Sequence, residues 1–296
     1  MGFKKKATVS AATLAILAGA LLGGIKYLQN QSPRQIVKTE GKQPVAVEEL
    51  SYFNGKEKIF GKIYKPADSL GRHPAVVFCH GLAVNGDFGD AFCREAAGMG
   101  YVAYTFDFRG GSEDSRSTGD MTRMSILTQK ADLETVLHRL RGEKFVDGNR
   151  IYLIGHSQGG LVASEAATEK HNGIAGLILL APAFNIPDDG RARYPRLSDI
   201  RDTTYFGICT LGRLYYSDIH NLNPYKWLKK FKGDVLILQG TADTAVPQAY
   251  SEQAADKFKN STLEILEGGD HNFTGAYRNQ ALSLIRDYLK GQLEKE

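Results

Sequence analysis

The chain is poor in the residues that cross-link small proteins. Its 296 residues include only three cysteines, Cys79, Cys93 and Cys209. An odd and sparse number in a chain of this length excludes a disulfide framework, although a single Cys93–Cys209 bridge stays open. The sequence also lacks a Cys-x-x-Cys pair or a Cys/His cluster, so it predicts no metal site.

Low-complexity tracts and internal repeats are absent as well. With 42% hydrophobic and 24% charged residues, the composition excludes a collagen, a coiled coil and a disordered chain. A mean hydropathy of −0.29 excludes a protein with many membrane spans. The length is compatible with a single large α/β domain.

Acidic residues are missing from the first 30 positions, which hold Lys4, Lys5, Lys6 and Lys26. Without these four lysines, the remaining 37 − 4 = 33 basic residues balance the 33 acidic ones. The rest of the chain is therefore neutral and has no long basic run. This balance predicts no nucleic acid partner.

The lysines precede an uncharged apolar run at residues 7–25. A helix of this length is about 28 Å long, enough to cross the hydrocarbon core of a bilayer. We therefore expect a signal-anchor at residues 1–28 and a polar linker at 29–44, with a single-pass protein in the cell membrane and its main domain outside. The alternative is a signal peptide cleaved near Ala18-Gly19-Ala20, which would give a secreted protein.

Beyond the linker, short strand patterns alternate with helical ones. Residues 45–52 and 58–64 flank Asn54-Gly55, a hairpin signal. Strands predicted at 75–79, 101–106, 151–154, 174–180, 234–238 and 262–266 are separated by amphipathic segments. This alternation predicts an α/β domain at residues 45–296, with a mostly parallel central sheet flanked by helices.

One segment, residues 181–233, breaks this alternation. We interpret it as an inserted cap over the carboxyl edge of the sheet, because a connection this long inside a compact domain is usually functional. It is rich in aromatic residues and arginines: Tyr194, Tyr205, Phe206, Tyr215, Tyr216, Trp227, Arg191, Arg193, Arg196 and Arg201. Single members of this set are expected to pack the cap or face solvent rather than bind substrate.

The strongest chemical signal is Gly-x-Ser-x-Gly at residues 155–159. It follows a predicted strand and precedes a predicted helix, as a nucleophile elbow requires. The turn would raise the hydroxyl of Ser157 above the sheet, next to the amino end of the helix. Ser157 is therefore the candidate nucleophile.

A serine hydroxyl needs a base, and the base needs a carboxylate to orient it. Of the histidines after Ser157, only His271 lies in a glycine-bearing loop after the last strand; His171 ends a helix and His220 lies in the cap. Asp243 follows the strand at 234–238 and is the candidate acid, with Asp270 as its rival. The amides of Leu82 and Gln158 are the candidate oxyanion-hole donors.

Five motifs in order resemble the α/β-hydrolase superfamily, and more closely its bacterial feruloyl or cinnamoyl esterases. The motifs are His80-Gly81, the run from Phe106 to Gly110, the pentapeptide at 155–159, the run from Gly240 to Asp243, and the run from Asp270 to Phe273. The resemblance implies the α/β-hydrolase fold and assigns nucleophile, acid and base to Ser157, Asp243 and His271. It also places the oxyanion amides at Leu82 and Gln158.

The chain departs from that family at Gly110-Gly111-Ser112, where many members carry Gly-His-Gly. The resemblance implies a serine esterase that acts on small-molecule esters, either short-chain or hydroxycinnamoyl, without a cofactor. A peptidase or thioesterase on the same fold is the alternative. A non-catalytic binding protein would be expected to have lost the triad, and this chain has not.

The anchor prediction is tested by sequencing the amino terminus of the protein isolated from its cells. An uncleaved anchor leaves the apolar run 7–25 on the mature chain. A mature amino terminus beyond residue 20 would instead identify a cleaved signal peptide.

Overall fold

The computed structural model describes residues 35–37, 44–67 and 71–295. Within these residues nine strands form one sheet, and two small hairpins lie outside it. The strands are β1 Gln35–Val37, β2 Val45–Glu49, β3 Tyr52–Asn54, β4 Glu57–Ile59, β5 Gly61–Pro66, β6 His73–Cys79, β7 Val102–Phe106, β8 Val146–His156, β9 Ile174–Leu180, β10 Thr203–Tyr205, β11 Thr210–Gly212, β12 Asp234–Gly240 and β13 Ser261–Leu266.

The order across the main sheet is β1-β2-β5-β7-β6-β8-β9-β12-β13. The six strands from β7 to β13 in this order pair in parallel, whereas β1, β2 and β5 pair antiparallel at one side. Parallel strands place all their carboxyl ends on one edge. The loops after β6, β8, β12 and β13 therefore meet there, and the predicted mostly parallel sheet is confirmed.

Both faces of the sheet are covered, which explains why its strands read as continuous apolar runs. In β6, Ala75, Val77 and Cys79 belong to one hydrophobic cluster. Their neighbours Val76 and Phe78 belong to the cluster on the other face. Side chains alternate between faces along a strand, so the run Ala-Val-Val-Phe-Cys fills two cores at once.

Helices cover the two faces of the sheet and also form part of the segment between β9 and β12. They are α1 Asp90–Gly98, α2 Ile126–Arg141, α3 Gln158–Thr168, α4 Ile186–Arg193, α5 Arg213–His220, α6 Tyr225–Leu228, α7 Gln248–Lys257 and α8 Ala276–Leu293. Helix α2 begins at Ile126, after Ser125, which forms a capping box with Thr128. Leu127 in its first turn is 43% exposed.

The segment between β9 and β12 contains three of these helices, α4 to α6, and the β10–β11 hairpin. Tyr194, Tyr215 and Tyr216 are buried in it, whereas Tyr205 and Ile208 near the hairpin tip are about two-thirds exposed, at 68% and 67%. The segment thus packs around its own buried aromatic residues, and the apolar tip of its hairpin is exposed to solvent.

Several local predictions can be compared directly with the structure. The Asn54-Gly55 signal is confirmed, since β3 and β4 form an antiparallel hairpin around it. The Cys93–Cys209 bridge does not form, and all three cysteines are free and buried. The signal-anchor and most of the linker lie outside the described residues. Among the helices that the structure does describe, none combines the length and apolar character of a membrane span.

A buried carboxylate organises the loop after β7. Asp107 is fully buried and accepts hydrogen bonds from the Gly86 amide at 2.8 Å, and from the amide, Nε and Nη2 of Arg116 at 2.8 to 2.9 Å. Burial alone would raise the pKa of Asp107, but the bonds from Arg116 and from the two amides outweigh it and lower this pKa. The charged form of Asp107 therefore ties the loop after β6 to the loop after β7.

Replacing Asp107 tests this tie. We expect Asp107→Asn to lower the free energy of unfolding by about 2 to 4 kcal/mol, because it leaves Arg116 without its buried partner. A group with a depressed pKa stabilises the fold above its unfolded pKa and loses that effect as pH falls through its folded pKa. The loss should thus be full at neutral pH and should shrink below a pH of about 4.

Urea unfolding between pH 3 and 8 measures the effect. Glu49→Gln, at an exposed position of β2, is the control and should change the free energy of unfolding little. A loss for Asp107→Asn that does not depend on pH would contradict this interpretation.

Candidate active site

Ser157 occupies a strained turn between β8 and α3. Its backbone has φ 54° and ψ −123°, a conformation that costs a non-glycine residue free energy. Four main-chain hydrogen bonds hold it there: its amide donates to the carbonyl oxygen of Leu180 at 2.9 Å, and its carbonyl oxygen accepts from the amides of Gly160 and Ala183 at 2.9 Å and of Leu161 at 3.3 Å. This is the geometry that the Gly-x-Ser-x-Gly motif predicts.

The two glycines of the motif are required by close backbone contact. A Cβ at Gly155 would lie 2.6 Å from the carbonyl oxygen of Gly159. A Cβ at Gly159 would lie 2.2 Å from the carbonyl oxygen of Cys79, at the end of the neighbouring strand β6. Strand, turn and helix can therefore approach only because both side chains are absent.

The structure brings the three candidate triad residues together. Nε2 of His271 lies 2.9 Å from Oγ of Ser157, and its Nδ1 lies 2.8 Å from Oδ2 of Asp243. The three residues come from the loops after β13, β8 and β12. They form one hydrogen-bonded line at the carboxyl edge of the sheet, in which the imidazole joins a hydroxyl to a carboxylate.

The carboxylate of Asp243 is fixed by the hydrogen bonds that it accepts. Its side chain is fully buried. Oδ1 accepts from the amides of Ala245 and Val246 at 2.8 and 2.9 Å, and Oδ2 accepts from Nε2 of Gln239 at 3.1 Å. Burial would raise the pKa of Asp243, but the hydrogen bonds from His271 and from these amides outweigh it and lower this pKa. The carboxylate is thus ionised and fixed in direction.

The other acid and histidines considered from the sequence make different contacts. Asp270 accepts from the amide of Thr274 at 2.8 Å and so closes its own turn. His171 is exposed, with an ion-pair distance of 3.8 Å to Glu134. His220 contacts Asn221 and the carbonyl oxygen of Pro195 within the cap. The structure leaves His271 and Asp243 as the pair that meets Ser157.

The two residues whose amides are predicted to bind an oxyanion, Leu82 and Gln158, line the same cavity as Ser157. Leu82, Gln158, Ser157 and His271 line one cavity of about 360 Å³. Gln158 is the first residue of α3, so its amide has no acceptor inside the helix. Ala83, which has φ 59°, anchors the other loop by donating its amide to the carbonyl oxygen of Gly111 at 3.0 Å.

The cap closes the far side of this cavity. Ile186, Phe206, Ile208 and Tyr215 contribute mostly apolar walls. Among the polar groups there, Nδ2 of Asn185 donates to Oδ2 of Asp189 at 2.7 Å. Burial, reinforced by the charge of Asp188, raises the pKa of Asp189 against the effect of that bond. The cavity thus combines mostly apolar walls with the carboxylate of Asp189.

Sequence reasoning missed two supports of this site. Gln239 holds Asp243 and in turn accepts a hydrogen bond from Oγ of Ser251 at 2.7 Å. Gln239 has a polar side chain in the buried part of strand β12, and this position could have indicated a structural hydrogen bond. Tyr215 of the cap donates to Oε1 of Gln158 at 2.7 Å, a contact across 57 residues that no local pattern reveals.

His80, in the loop after β6, makes two hydrogen bonds. Its Nε2 accepts from the amide of Phe108 at 2.9 Å, so its Nδ1 carries the proton and donates to the carbonyl oxygen of Gly81 at 2.7 Å. Burial lowers the pKa of His80 and so favours its neutral form. The ring supports the loop that carries Leu82 and does not reach Ser157.

Comparison with known sequences agrees with this geometry. Residues 72–204 match a family described as serine aminopeptidase S33, and residues 221–296 match one described as TAP-like protein. Human monoglyceride lipase is 23% identical over 248 residues, 72% of this chain and 79% of its own length. An uncharacterized 31.7 kDa protein of Escherichia coli is 29% identical, but the match spans only 34% of its length and 33% of this chain.

Solved structures share the fold at low sequence identity. The ferulic acid complex of Est1E from Butyrivibrio proteoclasticus has a TM-score of 0.76 and 22% identity, over 83% of this chain and 99% of that chain. An esterase from Exiguobacterium antarcticum has a TM-score of 0.61 and 18% identity, over 79% and 96% of the two chains. The sheet order, the elbow and these comparisons lead to one conclusion: the chain has the α/β-hydrolase fold.

Proposed function

We propose that this protein is a serine hydrolase that cleaves carboxylic esters through an acyl-enzyme. The observation that carries the proposal is the line of two short hydrogen bonds, 2.8 and 2.9 Å, that links Asp243, His271 and Ser157. A hydroxyl, an imidazole and a carboxylate in this order are the elements of nucleophilic acyl transfer.

The steps follow from the geometry. Oγ of Ser157 attacks the ester carbonyl while Nε2 of His271 takes its proton. The ionised carboxylate of Asp243 holds the imidazole in the Nδ1–H form and stabilises the imidazolium that results. The amides of Leu82 and Gln158 donate to the oxyanion, and loss of one such donor costs about 3 kcal/mol of activation free energy.

Collapse of this intermediate transfers the proton from His271 to the leaving alcohol. Water then attacks the acyl-enzyme, with His271 again as the base. The products are the acid and the free enzyme, and the proposed steps need no metal or organic cofactor.

The shape of the cavity supports a small-molecule ester with an apolar body. Its volume of about 360 Å³ holds an aryl or short alkyl acyl group. Asp189 contributes a carboxylate at its wall, which favours a substrate that carries a hydroxyl group there. Hydroxycinnamoyl esters combine both features, and short-chain esters satisfy the first.

The alternative is a peptidase, which the match to a serine aminopeptidase family favours. The triad chemistry is the same for an amide bond, so the side chains described here do not separate the two activities by themselves. A thioesterase differs only in the leaving group.

We also propose that the hydrolase domain acts outside the cytoplasm, held at the cell membrane by the apolar run 7–25. The lysines before that run support this orientation. Release after signal cleavage is the alternative location.

Activity assays on purified protein test the reaction class. We expect turnover of p-nitrophenyl acetate or butyrate and of feruloyl esters, and Ser157→Ala should lower kcat by at least about 10³-fold because the nucleophile is gone. Aminoacyl-arylamides and acyl-thioesters assayed in parallel separate the alternatives. Ester turnover that survives in Ser157→Ala would contradict the proposal.

The role of the carboxylate has a matched control. Asp243→Asn keeps the shape but removes the charge that orients His271, so kcat should fall on the order of 10⁴-fold. Asp270→Asn, one residue from His271 but bonded to Thr274, should retain nearly wild-type kcat. Equal losses in the two variants, measured with the same ester, would exclude Asp243 as the orienting acid.

A further inference from the structure

A second histidine lies next to the proposed base and takes no part in the steps above. His156, the residue before Ser157, is buried, with 2% of its surface exposed. Its ring stacks on Phe88, with centroids 4.4 Å apart and planes inclined by 19°. Its centroid is 5.0 Å from that of His271.

Its Nε2 atom lies 3.0 Å from the main-chain carbonyl oxygen of His271. A carbonyl oxygen can only accept, so Nε2 of His156 carries a proton and donates it. The other ring nitrogen, Nδ1, is buried and has no hydrogen-bond partner in the described part of the chain. It faces Gly81, where an added Cβ would lie only 3.2 Å away.

The surroundings keep this ring uncharged. Burial is the largest influence and, together with the charges of His271 and Arg278, lowers the pKa of His156 to about 3, against the opposing effects of the hydrogen bond to His271 and the charge of Asp243. A protonated Nδ1 would have no acceptor at Gly81. Geometry and charge thus agree on one neutral tautomer, with the proton on Nε2.

The carbonyl oxygens of the next two residues, Asn272 and Phe273, also accept hydrogen bonds. Nη2 of Arg278 donates to the carbonyl oxygen of Asn272 at 2.8 Å, and its Nε donates to that of Phe273 at 3.3 Å. The guanidinium also lies 4.8 Å from the centre of the Phe88 ring. Three consecutive carbonyl oxygens of this loop are therefore fixed by two side chains that share contact with Phe88.

We propose that His156 is a positioning residue for the general base: its neutral Nε2–H donates to the main chain of His271 and so fixes the point from which the catalytic imidazole reaches Ser157. The inference rests on the proposed serine hydrolase mechanism. It assigns a role to His156, which precedes the nucleophile in the sequence and is not a member of the proposed triad.

The physical reason is the short reach of the base. Nε2 of His271 must stay about 3 Å from Oγ of Ser157, and a displacement of 1 Å can cost about 100-fold in rate. The loop bends at Phe273, with φ 51°, and at Gly275, with φ 57°. His156 is the last residue of strand β8, so its hydrogen bond to the carbonyl oxygen of His271 ties this bent loop to the sheet. Because the donor is neutral, it adds no repulsion when His271 becomes an imidazolium.

Two substitutions separate the hydrogen bond from packing. His156→Leu fills the site without a donor, whereas His156→Gln places an amide N–H near the position of Nε2. We expect His156→Leu to lower kcat for p-nitrophenyl acetate about 10- to 100-fold, with KM changed much less, and His156→Gln to regain most of that loss.

The matched control is Tyr101→Phe. It removes another buried donor, the Tyr101 hydroxyl that donates to the carbonyl oxygen of Leu289 at 2.8 Å, just before strand β7 and so away from the carboxyl edge. It should lower the melting temperature but leave kcat unchanged. Wild-type kcat in His156→Leu, or losses in His156→Gln as large as in His156→Leu, would overturn the proposal.

A measurement on the wild-type protein tests the tautomer of His156 even if a variant does not fold. Nitrogen-15 NMR of labelled histidines should show His156 as a neutral ring protonated on Nε2 from pH 5 to 8. A ring protonated on Nδ1, or one that titrates near pH 6.5, would overturn it. This readout needs no substrate, so it stays informative if ester hydrolysis by the wild-type protein fails.

Discussion

The hydrogen-bonded line from Asp243 through His271 to Ser157 is the contact on which the proposed function depends. Its members are separated by 114 residues between His271 and Ser157 and by 28 between His271 and Asp243. They meet because β8, β9, β12 and β13 run parallel and end at one edge. The sheet order therefore sets the distances that the chemistry uses.

Each member is also held by groups outside the line, some from the main chain and some from other side chains. The turn at Ser157 is strained and is fixed by bonds to Leu180 and Ala183. Asp243 is fixed by two amides that follow it. The His271 loop is held at its carbonyl oxygens by His156 and Arg278. Such supports preorganise the site, so that little reorganisation is left for the reaction.

The sequence alone predicted most of the sheet and pointed to the three residues that the structure brings into one hydrogen-bonded line, because these leave local signals. Continuous apolar runs mark strands buried on both faces, and the elbow needs its glycines at Gly155 and Gly159. The supports were not predictable in the same way. The contacts of Tyr215 with Gln158 and of His156 with His271 join distant segments, so they follow from packing and not from spacing. The cap had no periodic pattern, because its helices have only four to eight residues and are too short to show one.

The central claim, that Ser157 is activated by this line, is tested most directly by its reaction with a fluorophosphonate. The intact protein is treated with the probe, digested and analysed by mass spectrometry. The account predicts a single adduct on the peptide that contains Ser157, and no adduct there when His271 is replaced by alanine. An unlabelled Ser157 in the folded wild-type protein, or an adduct on a different serine, would contradict it.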